Sequence, residues 1–481
     1  MATNWQTFPI EFKGGLISNL SPLQQGANAV GSATILQNFE PARSGGYTKL
    51  QGYVKADDNV IPGSERVLGV KVVNPSEYIA ARNNGSVTEY HLSTGSGWSS
   101  LGTTALAGGK IRSAEYNFGA GHFVIFVDGT NAPKLYNDTT NTLSDITSNT
   151  DIQGAEQVAI FKNTVFFSKG SNLYFSAPSS STDFSSANGG GVINVSHGIT
   201  GLISFRDQLI IFSRNNIQRL SGTTLADFQL SPITESIGCL DPDTIQEVGG
   251  DVMYMSPDGI RLLGATDRIG DFALEVASDP IADDVYKFAQ STSNFCSIVV
   301  REKAQYRIFA YSESEQSKVA RGLLVTKFSN QGAESMAWGE SSGIKAYVAD
   351  SKYTSSAETI VFANEDGYLY QMEQGSSFDG ASIEAIYESP YMPISDPQIR
   401  KTFYKLTSYI DPKGPFSLDL STKYDFTRAN NQNLIQPAST TISSSGLAVS
   451  FYGAVVSRYN TATYGGELDK VYQNQIIGSG K

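Results

Sequence analysis

The chain has 481 residues, 40% hydrophobic and 17% charged, which excludes an intrinsically disordered segment and allows two or three domains or one large body with attachments. A formal net charge of −12 without any basic run argues against nucleic-acid binding by phosphate neutralisation and does not bear on passive contact with DNA. Aromatics at 11% and 46 glycines suit many strands joined by tight turns, because aromatics favour the pleat and glycine the turn.

In chain order, Met1 to Pro9 is polar and lacks the apolar core of a signal peptide. No later stretch approaches the ~18 apolar residues of a membrane helix, so no membrane anchor is expected. Residues 1–60 are polar and punctuated by Gly and Pro, and Ala27 to Leu36 has the composition of a short helix.

A repeat then begins. Its unit is a strand, a tight turn and a second alternating strand: Tyr78 to Tyr90 about Asn84-Gly85, His122 to Tyr136 about Asp128-Gly129, Thr164 to Phe175 about Gly170, Gln208 to Leu220 about Asn215, and Val252 to Leu263 about Asp258-Gly259. Asn-Gly and Asp-Gly between apolar runs are strong hairpin signals, since both residues tolerate positive φ. From Gly85 through Gly129, Gly170 and Asn215 to Gly259 the steps are 44, 41, 45 and 44. A four-stranded propeller blade needs about that length. A turn near Lys303 keeps the step at 44, and the last, at Gly367, arrives after 64, with the polar segments Ser312 to Lys318 and Asp350 to Ala357 absorbing the excess. The expected fold is all-β, a β-propeller of six or seven blades over residues 61–375. Two stacked β-sandwiches are the competing arrangement, but sandwiches seldom hold a constant step.

After Gly375 the repeat stops, and Ser382 to Tyr387, Thr402 to Ile410, Phe416 to Asp425 and Leu447 to Arg458 read as strands. Residues 376–481 are therefore expected to form a small β-sheet attachment domain. Residues 1–60 are expected to pack with it, Tyr47 to Tyr53 covering its open edge. On that reading, deleting residues 1–55 leaves a folded, monomeric propeller.

Chemistry is hard to find. Asp128, Asp258 and Asp366 fall in turns, where Asp is chosen for its backbone preferences. Asp241-Pro242-Asp243 and Asp283-Asp284 read as solvated acidic loops, without the spacing of a calcium loop. Gly189-Gly190-Gly191 is followed by no lysine-bearing helix and reads as a connection, not a phosphate cradle. Trp98 and Trp338 read as packing anchors. Cys239 and Cys296 read as buried small apolar residues, and His91, His122 and His197 lack metal spacing. No catalytic, cofactor-binding or metal-binding residue is expected, and no enzyme.

Two regions resemble a known family. Gly14-Gly15-Leu16-Ile17, Ala33 to Glu40 (Ala-Thr-Ile-Leu-Gln-Asn-Phe-Glu) and Gly45-Gly46-Tyr47-Thr48-Lys49-Leu50-Gln51-Gly52-Tyr53 resemble the opening of tail proteins of short-tailed bacteriophages. Ile203 to Ser213, Ile237-Gly238-Cys239 and Ser256 to Ile260 resemble the propeller of tail nozzle (tail hub, DNA-stabilisation) proteins, and Asp396 to Thr402 with Lys423 to Phe426 resemble their C-terminal domain. The resemblance implies a structural protein of the virion tail, assembled in the host cytoplasm as a ring of copies, usually six. Such a ring joins a tail adaptor and other tail proteins, fibres among them, retains packaged DNA and serves as conduit for its ejection. The alternatives are a propeller enzyme or lectin acting on bacterial surface polysaccharide, and another adaptor or baseplate part.

Overall fold

A computed structural model describes residues 6–42, 45–93, 95–118, 121–264, 276–292, 294–311, 321–330, 333–354, 357–394, 399, 401–411, 416–424, 439–444 and 471–480. The chain divides into two compact units, Ile10–Pro390 and a second made of Met1–Pro9 with Tyr391–Lys481. These limits differ from the expected boundaries at 60 and 375.

The larger unit is a seven-bladed β-propeller. Blade 1 is Val67–Asn74, Glu77–Asn83, Val87–Ser93 and Trp98–Ala105; blade 2 is Arg112–Tyr116, Phe123–Val127, Lys134–Asn137 and Thr142–Asp145. Blade 3 is Gln157–Phe161, Thr164–Lys169, Asn172–Phe175 and Gly191–Asn194; blade 4 is Ile199–Phe205, Gln208–Ser213, Ile217–Ser221 and Gln229–Thr234. Blade 5 has three described strands, Gln246–Val248, Asp251–Ser256 and Gly259–Leu262. Blades 6 and 7 open with Asn294–Val300 and Val348–Thr354 and reach six strands each by recruiting segments from elsewhere.

Alternation sends each strand's apolar residues to both faces of its blade, because a blade is sandwiched between two neighbours. The seams follow in sequence. Phe167 and Ile125 meet between blades 2 and 3, Phe166 and Leu209 between 3 and 4, Phe212 and Tyr254 between 4 and 5. Met255 and Tyr306 meet between 5 and 6, Phe309 and Phe362 between 6 and 7. One cluster runs from Val361 and Leu369 of blade 7 through Val72 of blade 1 to Phe126 of blade 2, which closes the ring. Each such residue contributes about 2 kcal/mol on burial.

The N-terminal arm, residues 10–60, packs on the propeller, contrary to expectation. Ala27 to Leu36 is not the helix; that is Pro22–Asn28, started by Pro22 and the Ser21 cap, and Ile35–Gln37 is a strand of blade 6 paired with Ile386–Glu388 and, in parallel, with the strand holding Glu340. Tyr47–Lys49 pairs with Phe39–Pro41, and Tyr53–Lys55 becomes the fourth strand of blade 7, Val54 opposite Gln371. The segment expected to cover an edge of the C-terminal sheet covers a blade edge instead, because blade 7 otherwise ends on the unpaired strand Leu369–Met372. Only glycine fits at position 52, because a Cβ there would stand 1.9 Å from the Ser377 carbonyl.

Charge fixes the arm as well. Arg307 of blade 6, 1% exposed, places Nη2 3.2 Å from Glu40 Oε2 of the arm and 2.7 Å from Glu373 Oε1, and Lys303 pairs with the same two carboxylates. Two cations and two anions balance, as burial requires. Asp57, 2% exposed, then docks onto blade 1, accepting from the backbone N–H of Asn59 at 2.9 Å and of Gly97 at 3.2 Å and from the Ser93 hydroxyl.

Two connections differ from the expected repeat. The turn at Lys303 joins the first and second strands of blade 6, whereas the other six turns join second and third strands. The link between the second and third strands of blade 6 includes Ser312 to Lys318, which lies outside the described residues. Asp350 to Thr354 is no polar spacer but part of the innermost strand of blade 7. In the second unit Lys401–Tyr409 pairs antiparallel with Val471–Gly480, and Phe416–Leu420 with Thr440–Ser444. Leu447 to Arg458 and Asp396 to Gln398 lie outside the described residues.

Candidate functional site

Titratable side chains from several blades converge on the innermost strands, around the propeller axis. Strand geometry delivers them: these strands face neighbours on both sides, and where they narrow toward the axis there is room for long polar side chains that reach across. Two groups form.

The first joins blades 7, 1 and 2. Lys71 Nζ lies 3.1 Å from Asp350 Oδ2, and the same carboxylate oxygen accepts from the Val72 N–H at 2.8 Å. Lys352 Nζ donates to the Val73 carbonyl and to Glu115 Oε2, both at 2.9 Å. Glu115 also faces His122 Nε2 at 3.5 Å, while His122 Nδ1 lies 3.3 Å from Asp138. Burial works against the Glu115 charge, yet Lys71 and Lys352 hold its carboxyl below the usual range.

The second centres on a one-turn 3-10 helix, Pro242–Thr244, at the start of blade 5. Arg112 of blade 2 grips Asp243 at two points, Nε to Oδ1 at 2.8 Å and Nη2 to Oδ2 at 3.0 Å. Lys110 Nζ stands 3.1 Å from Oδ2 and also donates to the Phe295 carbonyl of blade 6. Asp241 caps the turn, its Oδ1 accepting from the Asp243 N–H at 2.8 Å. Burial opposes the Asp243 charge, but Lys110 and Arg112 keep its carboxyl low; burial and the adjacent Asp243 push Asp241 up. Cys239 and Cys296 are free and buried, and burial raises both thiols to about 12.

Asp241-Pro242-Asp243 is therefore not the solvated loop its sequence suggested: only 17% of the Asp243 side chain is exposed. The reason is non-local, since Lys110 and Arg112 lie more than 100 residues away. Asp283 and Asp284 also differ, standing in the first turn of a helix, Ala282–Ser291, where negative charge suits the helix dipole. Asp128 Oδ1 accepts from the N–H of Thr130 and Asn131, Asp258 pairs with Arg261, and Asp366 accepts from the Tyr368 N–H and the Tyr370 hydroxyl. Gly191 opens the fourth strand of blade 3. Trp338 is 1% exposed and bonds the Ala277 carbonyl; Trp98 bonds that of Asn59.

No family model matches the chain, and no curated protein matches it. Among solved structures it is similar to PorZ, described as an essential bacterial surface component of the type-IX secretion system of Porphyromonas gingivalis, at 11% identity and TM-score 0.38, over 68% of this chain and 39% of that one. It is also similar to the extracellular domain of the hybrid two-component system BT3049 from B. thetaiotaomicron, at 9% identity and TM-score 0.40, over 64% of this chain and 40% of that one. The chain spans about two fifths of the length of these structures. The fold assignment rests on the seven sheets themselves.

Two carboxylates with oppositely shifted pKa are a pattern acid–base catalysis uses. Here, however, both oxygens of Asp243 are held by cations, and the Asp241 side chain caps its own turn. A cavity of about 140 Å³ lies between blades 4 and 5, lined among others by Phe205, Arg206, Arg219 and Leu263, and neither Asp241 nor Asp243 lines it. Among the described residues no group of three metal-ligating side chains converges, and no helix is long and apolar enough to cross a membrane.

Proposed function

We propose that this chain is a structural, non-enzymatic subunit of a bacteriophage tail, a nozzle whose copies form a ring that retains packaged DNA and passes it out at ejection. One observation carries this reading: the residues of the first 53 that bear the family resemblance include those that dock the arm. Gly15, where a Cβ would stand 2.6 Å from the Trp338 carbonyl, donates its N–H to the Tyr47 hydroxyl at 3.1 Å. Asn38, at φ 54°, donates to the carbonyls of Ser342 and Glu384 and accepts from the Ser342 N–H. Leu16 is 2% exposed, Glu40 meets Arg307 and Lys303, and Tyr53 closes blade 7. An arm laid over two blades in this way is a particular construction, not a general need of propellers, so shared arm residues support shared architecture.

The axis supports it too. Ion pairs link the innermost strands of the single propeller, and the conduit on this reading is the bore between copies, where a net charge of −12 works against holding a sliding phosphate backbone. Negative-stain imaging of the purified full chain at micromolar concentration should show closed rings, most of them sixfold. Single propellers that never close, together with turnover or binding of bacterial surface polysaccharide, would instead establish the enzyme or lectin alternative.

A further inference from the structure

We propose that Asp243 is an axial keystone: its carboxylate holds Arg112 and Lys110 at blade 2 while its turn is seated on blades 5 and 6, so that the three lose protection together. In an open repeat stack each unit contacts only its neighbours and cooperativity passes from one to the next, whereas a closed ring can add contacts across its axis. Blades 2 and 5 are not neighbours; blades 3 and 4 stand between them in the ring. Yet the two-point contact from Arg112 runs straight from blade 2 to the turn that opens blade 5.

The turn is seated from the far side by blade 6. Ser297 Oγ donates to the Asp243 carbonyl at 2.6 Å, Gln246 Nε2 donates to the Ser297 carbonyl at 3.2 Å, and the Tyr306 hydroxyl donates to the Thr244 carbonyl at 2.8 Å. Blade 5 holds it through the Met255 N–H, which donates to Thr244 Oγ1 at 3.1 Å. Lys110 completes the triangle, because one ammonium meets both Asp243 and the Phe295 carbonyl. Two-point charge-assisted contacts are among the strong, geometrically specific ones. Removing one partner of such a buried pair strands the other's charge. Loss of the carboxylate therefore unseats Arg112 and Lys110 on one side of the axis and the 242–244 turn on the other.

Hydrogen–deuterium exchange of the full chain, read by mass spectrometry, tests this with Asp243→Asn. Amides of Arg112–Tyr116, Gln246–Val248 and Asn294–Val300 should exchange about tenfold faster together, while those of Gln157–Phe161 and Ile199–Phe205 in the intervening blades keep their rates. Arg112→Lys, which keeps the charge and loses the two-point grip, should show a weaker loss in the same three strands, and it carries the test if Asp243→Asn does not fold. Faster exchange confined to residues 241–248 would reduce Asp243 to a local cap and overturn the proposal. Equal acceleration in blades 3 and 4 would overturn it as well, since that is general destabilisation.

Discussion

Asp241 and Asp243 stand two residues apart in one turn, and their surroundings treat them in opposite ways. Asp243 meets two cations and stays ionised, whereas Asp241 is buried beside a like charge and binds its proton more tightly in the folded chain. A carboxyl with a raised folded pKa contributes its full stability below its unfolded value of about 4, and that contribution is lost as pH rises through the folded pKa. Asp241→Asn retains an oxygen to cap the turn and removes that loss. The variant should therefore match the parent near pH 4 and melt about 2 °C higher at pH 8 by scanning calorimetry. Equal melting temperatures at pH 8 would mean that Lys110 and Arg112 offset the cost of burying the Asp241 charge beside Asp243.

Among the elements, the arm changes what truncation should do. Tyr53 stacks on Phe378 at 5.0 Å and meets Phe362 and Tyr370 edge-on at 5.0 and 5.2 Å, so Tyr53→Ala should cost about 3 kcal/mol in urea unfolding. Deleting residues 1–55 removes that strand, the blade 6 strand Ile35–Gln37 and Glu40, leaving Lys303 and Arg307 with Glu373 alone. The truncated chain should elute as aggregate on gel filtration and show no cooperative melt; a soluble, folded monomer would mean that the blades close without the arm. The same elements mark what a sequence makes legible. Turns such as Asn84-Gly85 and Asp258-Gly259 are local signals, and from them the all-β class, the propeller and the centre of blades 1 to 5 and 7 can be read directly. Tyr53–Lys55 has three residues and a partner more than 300 positions away, so no periodicity announces it. Asp350 to Thr354 reads as a spacer because its charges look solvated; Lys71, Glu115 and Val73, which satisfy them, are distant in sequence. The acidic pair around Pro242 misleads for the same reason.

At the scale of the molecule, the ring is sealed by its earliest residues meeting its latest. Arg82 of blade 1 donates to the Ile61 carbonyl at 2.7 Å and to the Glu365 carbonyl of blade 7 at 3.4 Å, beside the arm strand that completes that blade. A chain ending at Ser342 lacks blade 7 altogether, and its residues 10–60 should be cut by trypsin at Lys13, Lys49 and Lys55 at concentrations that leave the full chain intact; protection equal to the full chain would place the arm's anchorage on blade 6 alone. The consequence reaches back to synthesis. At about 5–20 residues per second the ribosome takes roughly 15–60 s to deliver Leu369–Met372 after Tyr53 has emerged. Leu16 and Leu36 wait for Trp338 of blade 6 and Tyr53 for Leu369–Met372 of blade 7, so a cell that makes this chain must keep these apolar side chains from other nascent chains until the last two blades arrive.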